Sequence, residues 1–217
     1  MAPEHIPSLR GRATIITVIT VVVLIALCLV VWVYRNTPPL SHLLGSESPD
    51  STLEATTTYT SPVFGFSITL PADYTVEASY QYQAMGPGKE INGAKFTIPA
   101  SMSAGTNLSS DTYISVEQLP NATQCSASLF LDTAQKVSTT TDDSVEYSMA
   151  QGGGAGAGNL YEETVYAIPG SMPCMAVRYL IHSTQLANYP AGMRTAFDKA
   201  VLVAQFDQIR RTLILGR

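Results

Sequence analysis

The pattern of apolar and polar positions divides this chain into one long unbroken run and a series of short alternations. Residues 13–34 form the run, with no charge, Pro or Gly. At about 1.5 Å rise per residue, roughly 20 such residues cross a bilayer, so the run predicts a transmembrane helix. Its β-branched density would favour a strand in water. In lipid the backbone must satisfy its own hydrogen bonds, and a helix wins. Residues 35–60 follow with Pro38, Pro39, Gly45, Pro49 and many Ser and Thr, the composition of a linker.

From residue 61 onward the alternations begin. Phe64, Phe66, Ile68 and Leu70 mark a strand, and residues 74–82 a less regular one that pairs back on it. Residues 91–98 predict a third strand. Residues 111–119 read as an inner strand partly covered on both faces, with Tyr113, Ser115, Glu117 and Leu119 on one and Ile114, Val116 and Gln118 on the other. Residues 125–134 predict a short helix and residues 145–150 a strand. Residues 151–158, QGGGAGAG, read as a flexible loop or hairpin connection. Residues 160–168 and 174–182 are the clearest strands, joined by a Pro-Gly-Ser turn into an antiparallel hairpin. Phe197, Val201, Phe206, Ile209 and Leu213 recur at helical spacing, which predicts an amphipathic helix of about five turns over residues 192–213.

The expected fold class is α+β, a mainly antiparallel sheet covered by helices and preceded by one transmembrane helix. The expected organisation is a cytoplasmic tail (1–12), the anchor (13–34), an extracytoplasmic linker (35–60), a disulfide-braced domain (61–214) and a short tail (215–217). Sidedness follows from the flanks. Arg10 and Arg12 stand against a single Glu4, and Lys/Arg bias keeps the N-terminus in the cytoplasm. Trp32 and Tyr34 fall at the outer headgroup layer. A cleaved signal peptide fits less well, because the apolar core is too long and no small-residue cleavage pattern follows. Cys28 follows Leu27 rather than a small residue, so it reads as an apolar membrane side chain and not a lipidation site.

Charge narrows the partners. Nine of the twelve Lys and Arg and sixteen of the seventeen Asp and Glu follow residue 35, a net of −7 for that part. Such a domain has no broad electrostatic attraction for nucleic acid or an anionic membrane surface. Cys125 and Cys174 are the two cysteines outside the run. In an oxidising compartment their default is one structural disulfide, and the absence of C-x-x-C argues against exchange activity.

Candidate chemistry is sparse. The glycine cluster lacks the Lys-Ser/Thr of a phosphate loop. His5 and His42 lie in the tails, which leaves His182 alone in the domain, so no metal and no cofactor is expected. No G-x-S-x-G occurs. His182 is a weak candidate base for a hydrolase that would use a nearby Ser or carboxylate. Glu162 and Glu163 adjoin a strand start and would need to converge with Glu117 to form a glycosidase-like pair. The segment HSTQLANYPAG at residues 182–192 is the best local candidate for binding, with Asn188, Tyr189 and His182 as its recognition residues. The plainer expectation is that Asn188 caps a turn and Tyr189 packs beneath the helix. Asn107 and Asn121 begin N-x-S/T acceptor patterns in predicted loops.

The F-x-I-x-x-P at residues 66–71, the pair Cys125 and Cys174, and FDKAVLVAQFDQI at residues 197–209 carry a family resemblance. They resemble uncharacterised bacterial inner-membrane-anchored proteins whose soluble part is an α+β sandwich. The element order is loosely similar to the PsbP and Mog1-like fold. The resemblance implies an extracytoplasmic accessory or binding domain on a bacterial inner membrane and supplies no catalytic set. With no chloroplast targeting segment, a photosynthetic role does not follow. The expected function is tethered binding of a protein, peptide or envelope component such as cell-wall material. The alternatives are a hydrolase using His182, and a sensor or inhibitor domain.

Overall fold

A computed structural model describes residues 27–29, 32, 55–133 and 136–216. The predicted anchor lies largely outside these residues. Leu27, Cys28, Leu29 and Trp32 within it are helical. Among the described residues no helix is long and apolar enough to cross a membrane. The unit Leu53–Arg217 carries the strands described here.

Among the described residues ten antiparallel strands form two sheets. In the smaller, β2 (Phe66–Pro71) is flanked by β1 (Thr56–Ser61) and β10 (Ile214–Leu215). The larger has seven strands: β3 (Thr75–Tyr82), β4 (Ile91–Thr97), β5 (Tyr113–Leu119), β6 (Ser138–Asp142), β7 (Val145–Gly156), β8 (Asn159–Ala167) and β9 (Cys174–Thr184). Their spatial order is β3-β4-β5-β9-β8-β7-β6. Among the described residues from Ala55 onward, two α-helices accompany them, a single turn α1 (Ala100–Ser103) and the longer α2 (Lys199–Arg211). The mainly antiparallel sheet expected from the sequence is present, with little helix beside it.

The large sheet is buried on both faces. On one, Phe96, Val116, Val177 and Tyr179 pack against Ile68 of β2 and Phe206 of α2. On the other, Ala150, Val165 and Ala176 pack under Phe130 and Leu131. That cover follows a 3₁₀ turn at Ala127–Phe130, and the Cys125–Cys174 disulfide ties it to the first residue of β9. The reading of residues 111–119 as a strand partly covered on both faces therefore holds from Tyr113 onward.

Four expectations change. β1 lies inside the predicted linker, so the folded unit begins before residue 61. Residues 75–82 do not pair back on β2; they pair with β4 in the other sheet. The glycine-rich stretch is strand, because β7 continues to Gly156 in full register with β8. It closes through Ala157 and Gly158, both at positive φ, the geometry of a two-residue hairpin turn. The C-terminal helix starts seven residues later than its periodicity implies. Phe197 N–H donates to Asn107 Oδ1 and Thr195 N–H to Gly105 O, so these donors are spent before Asp198 caps the helix by accepting from Val201 N–H.

Gly153 is a position only glycine fits. Its φ is +141°, and a Cβ there would lie 2.2 Å from Tyr161 O. Gly153→Ala should lower the unfolding free energy by roughly 2–3 kcal/mol, read as a drop in the urea midpoint. Gly154→Ala is the control: its Cβ meets nothing within 4 Å. Equal midpoints for the two variants would count against this strain argument.

Candidate functional site

Alternation places Ser115 and Glu117 of β5, Arg178 of β9 and Glu163 of β8 on the same face of the large sheet. The register makes them neighbours. Arg178 is fully buried and forks onto Glu117, with Nε 2.8 Å from Oε1 and Nη2 2.9 Å from Oε2. Its Nη1 donates to Glu163, and Nη2 also donates to Phe130 O at 2.6 Å. Ser115 Oγ donates to Glu117 at 2.7 Å, and Tyr82 OH donates to Glu163 at 2.8 Å. The Tyr82 ring lies 3.5 Å from the guanidinium carbon. Burial works against the charge on Arg178, but Glu117 and then Tyr82 and Glu163 outweigh it and hold its pKa above the ordinary arginine value. Burial also pushes the Tyr82 phenol up.

Two of the three carboxylates weighed from sequence thus converge, Glu117 and Glu163, but on a guanidinium. A glycosidase needs one free carboxylic acid and an open carboxylate beside substrate. Glu117 is wholly buried and both its oxygens are bonded to Arg178. Glu162 points to the other face of β8, where it meets Lys199 Nζ at 2.5 Å. Further along the first face, the Tyr80 and Tyr113 hydroxyls are 2.6 Å apart, and burial pushes the Tyr80 phenol up to about 12.

His182 sits near the end of β9. Its Nδ1 is 2.7 Å from Asp111 Oδ1 and its Nε2 3.0 Å from Asn159 Oδ1. Its ring stacks on Tyr161 with centroids 4.3 Å apart and planes 23° from parallel. Each ring nitrogen therefore has an oxygen partner, and the ring is fixed in orientation. Among the described residues no hydroxyl bonds either nitrogen, so the hydrolase reading has no placed nucleophile. Nor do three His, Cys, Asp or Glu side chains gather among them as a metal site would need.

Asn188 and Tyr189 meet the same hairpin end. Asn188 Nδ2 donates to Gly158 O at 3.1 Å, and Tyr189 OH lies 2.8 Å from Thr184 Oγ1. Thr184 is the register partner of Asn159, whose amide meets His182. The three sequence candidates are therefore brought together around one turn, with Asn188 capping it as the plainer reading expects. Tyr189 is part-exposed and its hydroxyl meets the last residue of β9, Thr184. Sequence reasoning missed Asn159, Tyr161 and Asp111. The alternation N-L-Y-E-E at the start of β8 was the available signal for the first two.

No protein-family model matches the chain, and no curated protein does. Among solved structures it is similar to the solution structure of cyanobacterial PsbP (CyanoP) from Synechocystis sp. PCC 6803, with 12% identity and a TM-score of 0.41 over 80% of this chain and 99% of that one. Likeness at that level carries no functional inference.

Proposed function

We propose that this chain is a membrane-tethered extracytoplasmic binding or accessory domain, with its N-terminus cytoplasmic, and that it recognises a protein, peptide or other envelope component at the β8–β9 end. The observation that carries this reading is the contrast between the two polar clusters. The reactive groups of the sheet interior are tied to one another, with Arg178 and Glu117 wholly buried and Glu163 only 12% exposed. The hairpin end instead presents a fixed aromatic surface: Tyr161 is 38% exposed and stacked on His182, which Asn159 holds, with Asn188 and Tyr189 bonded to the same hairpin end. A rigid, half-exposed tyrosine is the kind of residue that anchors a protein interface. The uncharged run at residues 13–34 and the disulfide support the placement outside the membrane.

Proximity crosslinking of the intact protein in its native membrane tests the reading. One partner should be enriched reproducibly, and Tyr161→Ala should reduce that enrichment by at least tenfold, the loss of an anchoring residue worth about 2 kcal/mol. Val63→Ala, at a residue 78% exposed in the smaller sheet's turn, should leave it unchanged. Absence of any reproducible partner would defeat the binding role.

A further inference from the structure

The partner that this hairpin end fits has a definite backbone conformation. β7 is 12 residues long, but β6 pairs only with its first five, Val145–Met149. Leu131 and Thr133 lie against Gly152, within 3.1 and 3.4 Å of where its Cβ would stand, but among the described residues the stretch from Gly153 to Gly156 is paired with β8 alone and no backbone bond reaches it from elsewhere. Its outer side is a row of N–H and C=O groups, the template for one more strand. Folded proteins guard such edges with charge, proline or a bulge. The opposite edge of the sheet has these guards: β3 carries Glu77 and a register shift between Glu77 and Tyr80. Residues 150–156, AQGGGAG, carry neither charge nor proline.

The side chains next to this edge narrow the choice of occupant. Gly154 is the register partner of Tyr161, and Tyr161 of His182, so the three form one row on one face. Ala155 is the partner of Leu160 on the other face. The two large exposed apolar residues of β8 are thus screened from the edge only by a glycine and an alanine. A strand added beyond β7 lies about 10 Å from β8, and a ring or branched side chain on it can lean over the bare glycine to meet Tyr161. A second copy of this chain pairing through the same edge would set glycine against glycine. It would leave Tyr161 and Leu160 uncovered.

We infer that residues 153–156 are a strand-addition site for an extended peptide segment of a protein partner, with an apolar side chain placed opposite Gly154 against Tyr161. This rests on the binding reading above and specifies its partner class.

The test uses the full-length chain in detergent micelles and three fluorescein-labelled peptides, Lys-Thr-Val-Thr-X-Thr-Val-Thr-Lys with X as Phe, Leu or Glu. Anisotropy titration should show saturable binding of the Phe and Leu peptides, at least tenfold tighter than Glu. N-methylation of alternate peptide nitrogens should weaken the Phe peptide at least tenfold, because the backbone bonds are then lost. Gly154→Lys should do the same. A Cβ at Gly154 meets nothing within 4 Å, and a thermal melt matching wild type checks the fold. No saturable binding up to roughly millimolar peptide overturns the inference, as does binding indifferent to methylation and to Gly154→Lys. A concentration-dependent dimer abolished by Gly154→Lys, without peptide binding, overturns it in favour of self-pairing. In the crosslinking experiment, a partner lost with Tyr161→Ala but retained with Gly154→Lys leaves the binding role standing and removes the added strand.

Discussion

Arg178→Met is expected to lower the unfolding free energy by about 3–5 kcal/mol, the range for removing one member of a buried ion cluster. The guanidinium is wholly buried, and Glu117 beside it is too. Removing the cation leaves Glu117 holding only the Ser115 hydroxyl and Glu163 only the Tyr82 hydroxyl. Phe130 O loses a donor at the same time. The loss is of compensation rather than of packing, since methionine fills much of the same volume. The combination Arg178→Met with Glu117→Gln and Glu163→Gln should therefore recover most of the stability, because two neutral amides are far cheaper to bury than two unpaired carboxylates. Urea unfolding at constant m reads both. A single-variant loss under about 1 kcal/mol, or a triple variant no better than the single, would sink this account.

Removing the disulfide with Cys125→Ser and Cys174→Ser should cost roughly 4 kcal/mol in the chain-entropy picture, with measured cases spread over about 2–5. The bridge joins residues 49 apart with Cα atoms 5.1 Å apart. Its local effect matters as much as its loop. Cys125 begins the segment that lays Phe130 and Leu131 over the polar interior, and Phe130 O is one of the acceptors of Arg178. The bridge and the ion cluster thus share a cover. The serine pair combined with Arg178→Met should lose less than the sum of the separate losses, by about 0.5–3 kcal/mol. Thermal melts of the four proteins give this cycle. Strict additivity would show that the cover stays in place without the bridge.

The strands that were legible in the sequence are those whose side chains alternate into a core. Phe66, Ile68 and Leu70 of β2 are all buried, and the same pattern marks β4, β5 and the β8–β9 hairpin. β1 and β6, TTTYTS and STTTD, were not legible as strands because both are largely exposed and offer no apolar face. Their threonines were a propensity signal without a periodic one. The glycine-rich second half of β7 was hidden for the opposite reason. Glycine has no side chain to alternate, and the strand is imposed by pairing with β8. At the site, Glu117 was correctly placed on a face with Tyr113 and Ser115. Its partner Arg178 is 61 residues away, and only the β5–β9 register joins them. The surroundings of His182 were equally nonlocal, since Asp111 reaches it across 71 residues.

The small sheet gives the domain a mechanical fuse. β1 is an edge strand paired with β2 in a hairpin, and its first rung, Thr56 with Pro71, is where the chain comes in from the N-terminal side. A pull from that side loads the rungs one at a time, in peeling rather than in shear. Six residues can come away, releasing about 20 Å of slack at roughly 3.3 Å each, before the load reaches the core strand β2. β2 keeps β10 and the α2 contact through Thr212, whose hydroxyl accepts from Thr69 N–H and donates to Thr69 O. A pull on the chain ahead of Thr56 would therefore be spent on β1 and its Tyr59 contact with Phe96, while the strand pairing of the seven-stranded sheet and the turn at Gly158 stay in place.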